Sequence, residues 1–522
     1  MHSQPFIDLS NLRSDLFAGI VVFLVALPLC LGIATASGVE PFAGLVSGIV
    51  GGLVVALLSG SQLSVSGPAA GLVVIVVSAI ASLGSFSAFL AAVLIAGGLQ
   101  LVFGMLRAGR LASFVPVPVI KGMLASIGLM LIVKEVPLAA GWSASGQGAA
   151  AASAASIATP FGTISLTPLV LALASVALLF AWDTPRAKRF ALVRALPGPL
   201  AVVVLGVAVT LIADAFAPSL SLPREHRVAL DSFGSFAALT DAFSMPDFEQ
   251  LINADVWRVA LTLAVVASLE TLLSLEAVEQ MDPLRRRASP DRELKAQGVG
   301  NMVAAVLGGL PLTAVIVRSS ANLNAGARTR LSAVVHGVLL LVSVFALTAV
   351  LNLIPLACLA AILIQTGYKL AKPALFIALM REGTDRIVPF VATVVGVLAT
   401  DLLIGIGIGI AVSTLLAVRA NLHDTFALTQ HDNHFLLSFR KDASFLAKPM
   451  LMRCLAQIPD EASVLVDAER ADFIDRDIRE TLDRFIADAP RRRIAVDSVR
   501  WPDAARAVKK RRPLWAPAPR TM

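Results

Sequence analysis

The sequence predicts an all-α polytopic membrane protein: 14 transmembrane segments in two halves of seven, followed by a small cytoplasmic α/β domain. Three observations carry this reading. Of 522 residues, 57% are hydrophobic and 15% charged, whereas a soluble domain is about 25% charged. Of 43 Lys+Arg, 18 fall after residue 420, as do 15 of 36 Asp+Glu; the chain changes solvent near Asn421, from lipid to water. Before that point, apolar runs near the ~20 residues that a helix needs to cross hydrocarbon recur from Leu16 to Val418.

The runs predict helices over 15–36, 39–59, 67–82, 86–106, 114–134, 164–182, 197–217, 255–280, 293–309, 316–326, 331–350, 354–370, 387–403 and 404–419. The loops orient them. Arg107 and Arg110 follow the fourth helix, and Arg186, Lys188, Arg189 and Arg194 the sixth. Arg285, Arg286, Arg287, Arg292 and Lys295 follow the eighth, Arg328 and Arg330 the tenth, and Lys369, Lys372, Arg381 and Arg386 the twelfth. Every basic cluster follows an even-numbered helix, which puts both termini in the cytoplasm. The opening MHSQPFIDLSNLRSDLF lacks the basic-then-apolar pattern of a cleaved leader. The formal net charge of +7 is split between the two parts of the chain and gives no reason to expect nucleic acid. Three cysteines, Cys30, Cys358 and Cys454, make no disulfide framework.

Two of the segments are interrupted. SGSQLSVSGPAAG (59–71) is polar and β-tending up to Gly67-Pro68, and a short apolar helix follows. GGLPLTAVIVRSSANLNAG (308–326) holds Pro311, a β-branched run and then Arg318. Backbone that is not helical at membrane depth is tolerated only in a protein interior or along a cavity. The breaks occupy corresponding places in the two halves, the pattern of an inverted-repeat transporter with a midplane site. Two half-helices that start near the membrane centre aim free N–H groups and positive dipole ends at one place, which suits an anion.

Ionisable residues within the spans are few. Glu270, in LAVVASLETLLSLEAVEQM, marks a function by its depth. Arg318 stands at the start of the second half-helix, where a cation needs a negative partner; Glu270 is one candidate partner and a substrate anion the other. Lys134 and Glu135 read as interfacial, and His336 as a packed core histidine. No His/Cys/Asp spacing resembles a metal site. Ser66 belongs to no nucleophile motif, and GxGxG at 403–412 lies in a membrane run as a helix-packing feature. The chain is therefore read as no enzyme and as needing no cofactor.

These residues resemble the sulfate permease (SulP) family of anion transporters. The resemblance is carried by LRSDLFAGIVVFLVALPLCLGIA, SVSGPAAG, LETLLSLEAVEQMDP, RELKAQGVGNMVAAVLGGLP and VRSSANLNAGARTRLSAVVHG, in family order over nearly the whole chain. It implies the inverted-repeat fold shared with uracil permeases, with half-helices 3 and 10. Helices 1–4 and 8–11 would form a core, helices 5–7 and 12–14 a gate, all within residues 1–420, and two copies would form a homodimer. By match to the family's motifs, the anion would meet Ala69 and Ala70 at half-helix 3 and Val317, Arg318 and Ser319 at half-helix 10. Glu270 would take the acidic position associated with cation coupling, and Ser66, Ser274 and Ile316 would be supporting or cation-side positions. Leu29 stands after Pro28 where many members have glutamine, and Ala69 and Ile316 stand where sodium-using bicarbonate members carry hydroxyls.

Residues 430–500 read as a small α/β unit resembling the family's STAS domain, with HFLLSFR, SVLVDAE and RIAVDSV as strands. The basic, Pro-rich tail 501–522 reads as disordered. The expected protein is a secondary transporter of sulfate or bicarbonate in a bacterial-type inner membrane, driven by proton symport through elevator-like alternating access. A sodium-coupled bicarbonate symporter or an anion exchanger is the alternative; a channel, or a sensor that signals through the STAS-like unit, is the rival from another class.

Overall fold

A computed structural model of the protein describes residues 11–109, 115–141, 166–190, 193, 196–216, 221–231, 243–422 and 425–500. The tail 501–522 and nearly all of the loop 141–163 lie outside them. The chain forms two compact units, Met1–Ile410 and Ala411–Met522.

The first unit is helical because in lipid every backbone group needs a partner within the protein. Its elements are α1 (Leu12–Ala36), α2 (Pro41–Leu58), β1 (Ser66–Pro68), α3 (Ala70–Leu83), α4 (Phe86–Met105), α5 (Val117–Ala139), α6 (Leu166–Trp182) and α7 (Gly198–Phe216). They continue with α8 (Ala254–Met281), α9 (Pro290–Val306), β2 (Leu312–Ala314), α10 (Ile316–Asn324), α11 (Leu331–Ala346), α12 (Leu356–Leu370), α13 (Pro373–Glu382) and α14 (Thr384–Ala399), and the chain passes from the first unit to the second within α15 (Leu402–Leu422). Among the described residues, eight helices are long and apolar enough to cross a membrane, and α3, α6 and α11 are shorter apolar helices.

The two interrupted segments meet. β1 and β2 pair antiparallel, with Ser66 opposite Ala314, Gly67 opposite Thr313 and Pro68 opposite Leu312. The Val315 N–H extends the pairing to the Val65 carbonyl at 3.0 Å. Below the pair runs one polar face of α9, with Glu293, Gln297 and Asn301 spaced by four. Asn301 grips Leu312 at both ends, accepting from its N–H at 2.7 Å and donating to its carbonyl at 3.0 Å. Gln297 donates to Ser66 Oγ at 2.7 Å and to Glu293 at 3.1 Å, and Ser59 donates to the other Glu293 oxygen at 2.5 Å. Ser289 caps α9 by accepting from the Arg292 N–H, with Pro290 in the first turn. Helices α4 and α9 touch backbone to backbone at Gly97 and Gly298: a Cβ on either would come within 2.7 Å of the other's carbonyl oxygen.

Two sets of side-chain bonds tie distant helices together. One ties α1–α4 to α8–α11: Ser47 donates to Leu310 O, Asn301 to Gln100, Gln100 to Ser268, and Asn322 to Leu63 O. In the same set Asp15 accepts the Arg328 N–H. The other ties α6 to α12: Gln365 donates to Leu179 O, and Lys369 pairs with Asp183 at 2.8 Å.

Several expectations shift. Residues 373–382, read as a basic loop, form α13. The segment expected over 331–350 ends at Ala346, and a separate turn follows at Thr348–Leu351. Helix α5 continues to Ala139 instead of ending near 134. Lys134 and Glu135 consequently lie a turn inside it, Glu135 is buried, and neither Lys134 Nζ nor Glu135 Oε2 has a hydrogen-bond partner.

In the second unit a four-stranded sheet runs in the order β3 (Phe426–His431), β4 (His434–Phe439), β5 (Ser463–Asp467), β6 (Ala495–Arg500). The β3–β4 pair is antiparallel and the other two pairs are parallel. Helices α16 (Lys448–Ala456) and α17 (Arg476–Asp488) cover it, burying Leu451, Ile478 and Leu482 against Leu437, Val464 and Val466. The three expected strands are all there; β3, which begins before residue 430, was not foreseen.

Replacing Asn301 by Leu would leave the Leu312 N–H and C=O without their side-chain partner in a dry interior. A loss of about 2–4 kcal/mol should follow, read as a fall of the melting temperature in detergent. An unchanged melting temperature would show that the Asn301 grip is not what holds the strand pair.

Candidate functional site

A cavity of about 300 Å³ opens where α3 and α10 begin. Its polar wall comes from Pro68, Ala70 and Gly71, from Glu270 and Ser274 of α8, and from the stretch 315–318. Across from these stand Ile120, Leu124 and Ile127 of α5 and Leu370 of α12, with Leu29 and Ile33 of α1 at one side. Six of the residues singled out in the sequence therefore share one cavity: Ala70, Glu270, Ser274, Ile316, Val317 and Arg318.

The other three do not line it. Ala69 is buried as the residue before α3. Ser66 spends its oxygen on Gln297. Ser319 is wholly buried; its hydroxyl accepts from the Val65 N–H at 2.9 Å and donates to Val315 O at 2.8 Å. It joins the two breaks and does not face the cavity.

Both half-helices begin without a side-chain cap. The residues before them, Ala69 and Val315, are apolar and extended. The first N–H groups of each helix have no intrahelical acceptor, and the usual Ser, Thr, Asp or Asn that would satisfy one is missing. Two positive helix ends thus open toward the cavity with nothing from their own chain neighbours to neutralise them.

Arg318 is fully buried although it belongs to the cavity wall. Its guanidinium lies on Gly67 so closely that a Cβ there would overlap Nη1. Nη2 reaches the Pro68 carbonyl at a long 3.5 Å, and Nε and Nη1 have no hydrogen-bond partner. His336, also fully buried, has neither ring nitrogen bonded; it is packed, as expected, but unsatisfied. Of the two candidate partners of Arg318, Glu270 is not the one it pairs with. Among the described residues no ion pair joins them. The Glu270 carboxylate covers Gly71, both oxygens 3.0 Å from where a Cβ would sit, and its Oε2 has no partner. The two glycines, four residues apart, receive the two charges separately.

Gly67 and Gly71 are the site residues that the sequence reading missed. Their signal was present, since SVSGPAAG puts glycine on both sides of the break. Only the coordinates assign each glycine its charged neighbour.

The sequence matches the profile of the Sulfate permease family over residues 12–395. The chain belongs to the sulfate permease family. As a sulfate permease family member it is an integral membrane protein and a transporter, not an enzyme. Among its relatives is the bicarbonate transporter BicA of Synechocystis sp. (strain PCC 6803), 28% identical over 79% of this chain and 71% of BicA. In fold it is similar to the transmembrane domain of a cyanobacterial BicA, with a TM-score of 0.65, 23% identity, and coverage of 78% of this chain and 98% of that one. Murine Slc26a9, an anion transporter solved in an inward-facing state, matches with a TM-score of 0.73 at 15% identity, over 93% of this chain and 86% of its own.

A double-mutant cycle tests the seat of Arg318. Gly67→Ala should destabilise the protein by about 1–3 kcal/mol, because the new methyl group collides with the guanidinium. Adding Arg318→Ala should recover most of that loss, a coupling beyond about 0.5 kcal/mol. Additive effects on the melting temperature would mean that the two residues do not touch.

Proposed function

We propose that this chain is a secondary active transporter of a small inorganic anion, of the sulfate or bicarbonate class, in a bacterial-type inner membrane. The observation that carries the reading is the meeting of two uncapped helix starts and one unpaired guanidinium at a single cavity. Such a constellation has positive ends, a fixed cation and no resident anion of its own at Arg318. The names of the relatives fit this chemistry, since sulfate and bicarbonate are both oxyanions that accept several hydrogen bonds.

The anion would meet the first turns of α3 and α10, near Ala70 and Val317, with Arg318 as its cation. Ala69 and Ser319 would support these turns from behind, and Ser66 would do so through Gln297. Glu270 would carry the coupling proton. Sodium has less to hold it: Ala69 and Ile316 offer no hydroxyl, and Ser274 and Thr366 are the hydroxyls on the cavity wall.

The elevator reading draws its support from the two bonded sets. Helices α1–α4 and α8–α11 are stitched together by side-chain hydrogen bonds, and α6 and α12 by others. We assign the first set to a moving core and α5–α7 with α12, α14 and α15 to a gate. The fourteen-segment inverted repeat, both termini in the cytoplasm, a homodimer and a STAS-like role for the second unit complete the proposal. A channel would instead show flux far above carrier rates; a sensor would bind the anion without moving it.

Two measurements test this. Arg318→Ala should weaken binding of labelled sulfate or bicarbonate by about 10- to 100-fold, the worth of a charge-assisted hydrogen bond of about 1.5–3 kcal/mol. Wild-type affinity in a folded variant would remove Arg318 from the site. A chain ending at Asn421 should still bind the anion, because both half-helices precede residue 330. Loss of binding in that shortened chain, if it melts as sharply as the full one, would put the site elsewhere.

A further inference from the structure

We infer that the second unit carries a binding site for the phosphate of an anionic phospholipid, in the cavity between the loops that follow β4 and β5. The inference does not depend on the anion-site reading above.

The topology makes the place. β4 and β5 are neighbouring parallel strands, so both reach their carboxyl ends at one end of the sheet. Open α/β sheets bind ligands outside such strand ends. β3 runs antiparallel, with Phe426 opposite Phe439, so the chain enters the sheet at that same end. It arrives from α15, whose stretch Leu402–Arg419 is long and apolar enough to cross a membrane. The ligand-binding end of the sheet is therefore the end at which the chain leaves the bilayer.

The two loops are fastened to each other. Asp442 Oδ1 accepts the N–H groups of Asp472 at 2.7 Å and Phe473 at 2.9 Å. The Ala443 N–H donates to Phe473 O, and the Asp475 N–H to Ala443 O, each at 2.9 Å. The Arg440 N–H donates to Thr425 O at 3.0 Å, which draws in the start of β3. A cavity of about 530 Å³ lies here. Arg440, Lys441 and Arg470 line it, together with the hydroxyl residues Thr425 and Ser444. Among the described residues, Arg440 and Arg470 have no ion-pair partner. The acid on the wall is Asp442, and its Oδ1 already takes the two backbone N–H groups. Three cations around one hollow raise the local potential for an anion, and the arginine fork matches the oxygens of a phosphate.

The apolar neighbours select a lipid. Val418 of α15 and Leu446 complete the cavity wall. On the same two loops Phe445 is 56%, Leu446 44% and Phe473 47% exposed. A free phosphate gains nothing from such a rim. A bilayer does, because apolar tips enter the boundary between headgroups and chains while the cations beside them hold the phosphate. With Asp442 engaged, the wall has little to offer the ammonium of a zwitterionic lipid, so an anionic headgroup fits it better.

The test uses the full-length protein in detergent micelles with photoactivatable phosphatidylglycerol or phosphatidylcholine, the adducts being located by peptide mass spectrometry. Phosphatidylglycerol should label 440–446 and 470–473 in preference to phosphatidylcholine. Arg440→Gln combined with Arg470→Gln should cut that labelling about ten-fold or more, since one cation near a headgroup is worth about five-fold in affinity. Both side chains are exposed, so the melting temperature should not change. Excess inorganic phosphate should not displace the lipid. Equal labelling by the two lipids, or undiminished labelling in a double variant that melts like wild type, would overturn the inference. Displacement by inorganic phosphate would overturn it too and mark a soluble anion as the occupant. If the double variant does not fold, the comparison of the two lipids on the unaltered protein decides.

Discussion

The structure turns on one constraint: two stretches of extended backbone lie inside a membrane-spanning unit and must find hydrogen-bond partners there. Each finds them in the other. β1 and β2 pair over three residues, and Asn301, Ser319 and Thr271 close backbone positions that so short a ladder leaves open. Because an unmade bond in this setting costs more than a made one gains, the pairing fixes where α3 and α10 begin, and with them the positive ends that face the cavity. The proposed anion site is, on this reading, a by-product of satisfying the backbone.

The same economy governs the charges. Arg318 and Glu270 would be expected to neutralise each other at this depth, yet each lies on its own glycine. Had they paired, neither would be free to meet a substrate, and breaking a buried pair is costly. Keeping them apart leaves the protein with two unsatisfied groups, the kind of local cost that binding sites accept. His336, buried with both ring nitrogens unbonded, belongs to the same pattern.

Much of this was legible in the sequence, for identifiable reasons. Gly67-Pro68 and Pro311 announce breaks because helices do not run through such pairs unharmed, and Arg318 stands out because arginine is rare at that depth. The family followed from segments such as SVSGPAAG and VRSSANLNAG, and the profile match bears it out. Pairings were not legible. That Asn301 would hold Leu312 depends on how β2 folds back on α9, and that Ser319 would face Val65 and not the cavity depends on how residues 254 positions apart are brought together. The sequence left Glu270 as one of two candidate partners of Arg318 for the same reason: opposite charges suggest attraction, but only packing tells which glycine leaves room for which side chain. Helix α13 was missed because its charges, Arg381 and Glu382, made an amphipathic helix look like a loop.

One wall of the cavity is the aliphatic face of α5, with Ile120, Leu124 and Ile127. Beyond it, a small second void is lined by Val119, Met123, Leu269, Leu273 and Ile406, among others of the same kind. Among the described residues, no side-chain hydrogen bond links α5 to α3, α8 or α10. Directional bonds make a contact stick at one register, and each must be broken before the next can form. Methyl groups against methyl groups offer many nearly equal registers and lose little between them. In the proposed elevator cycle such a seam would act as a lubricated bearing: its resistance to sliding would come from shape alone, and bulk along it would govern how fast the bearing runs.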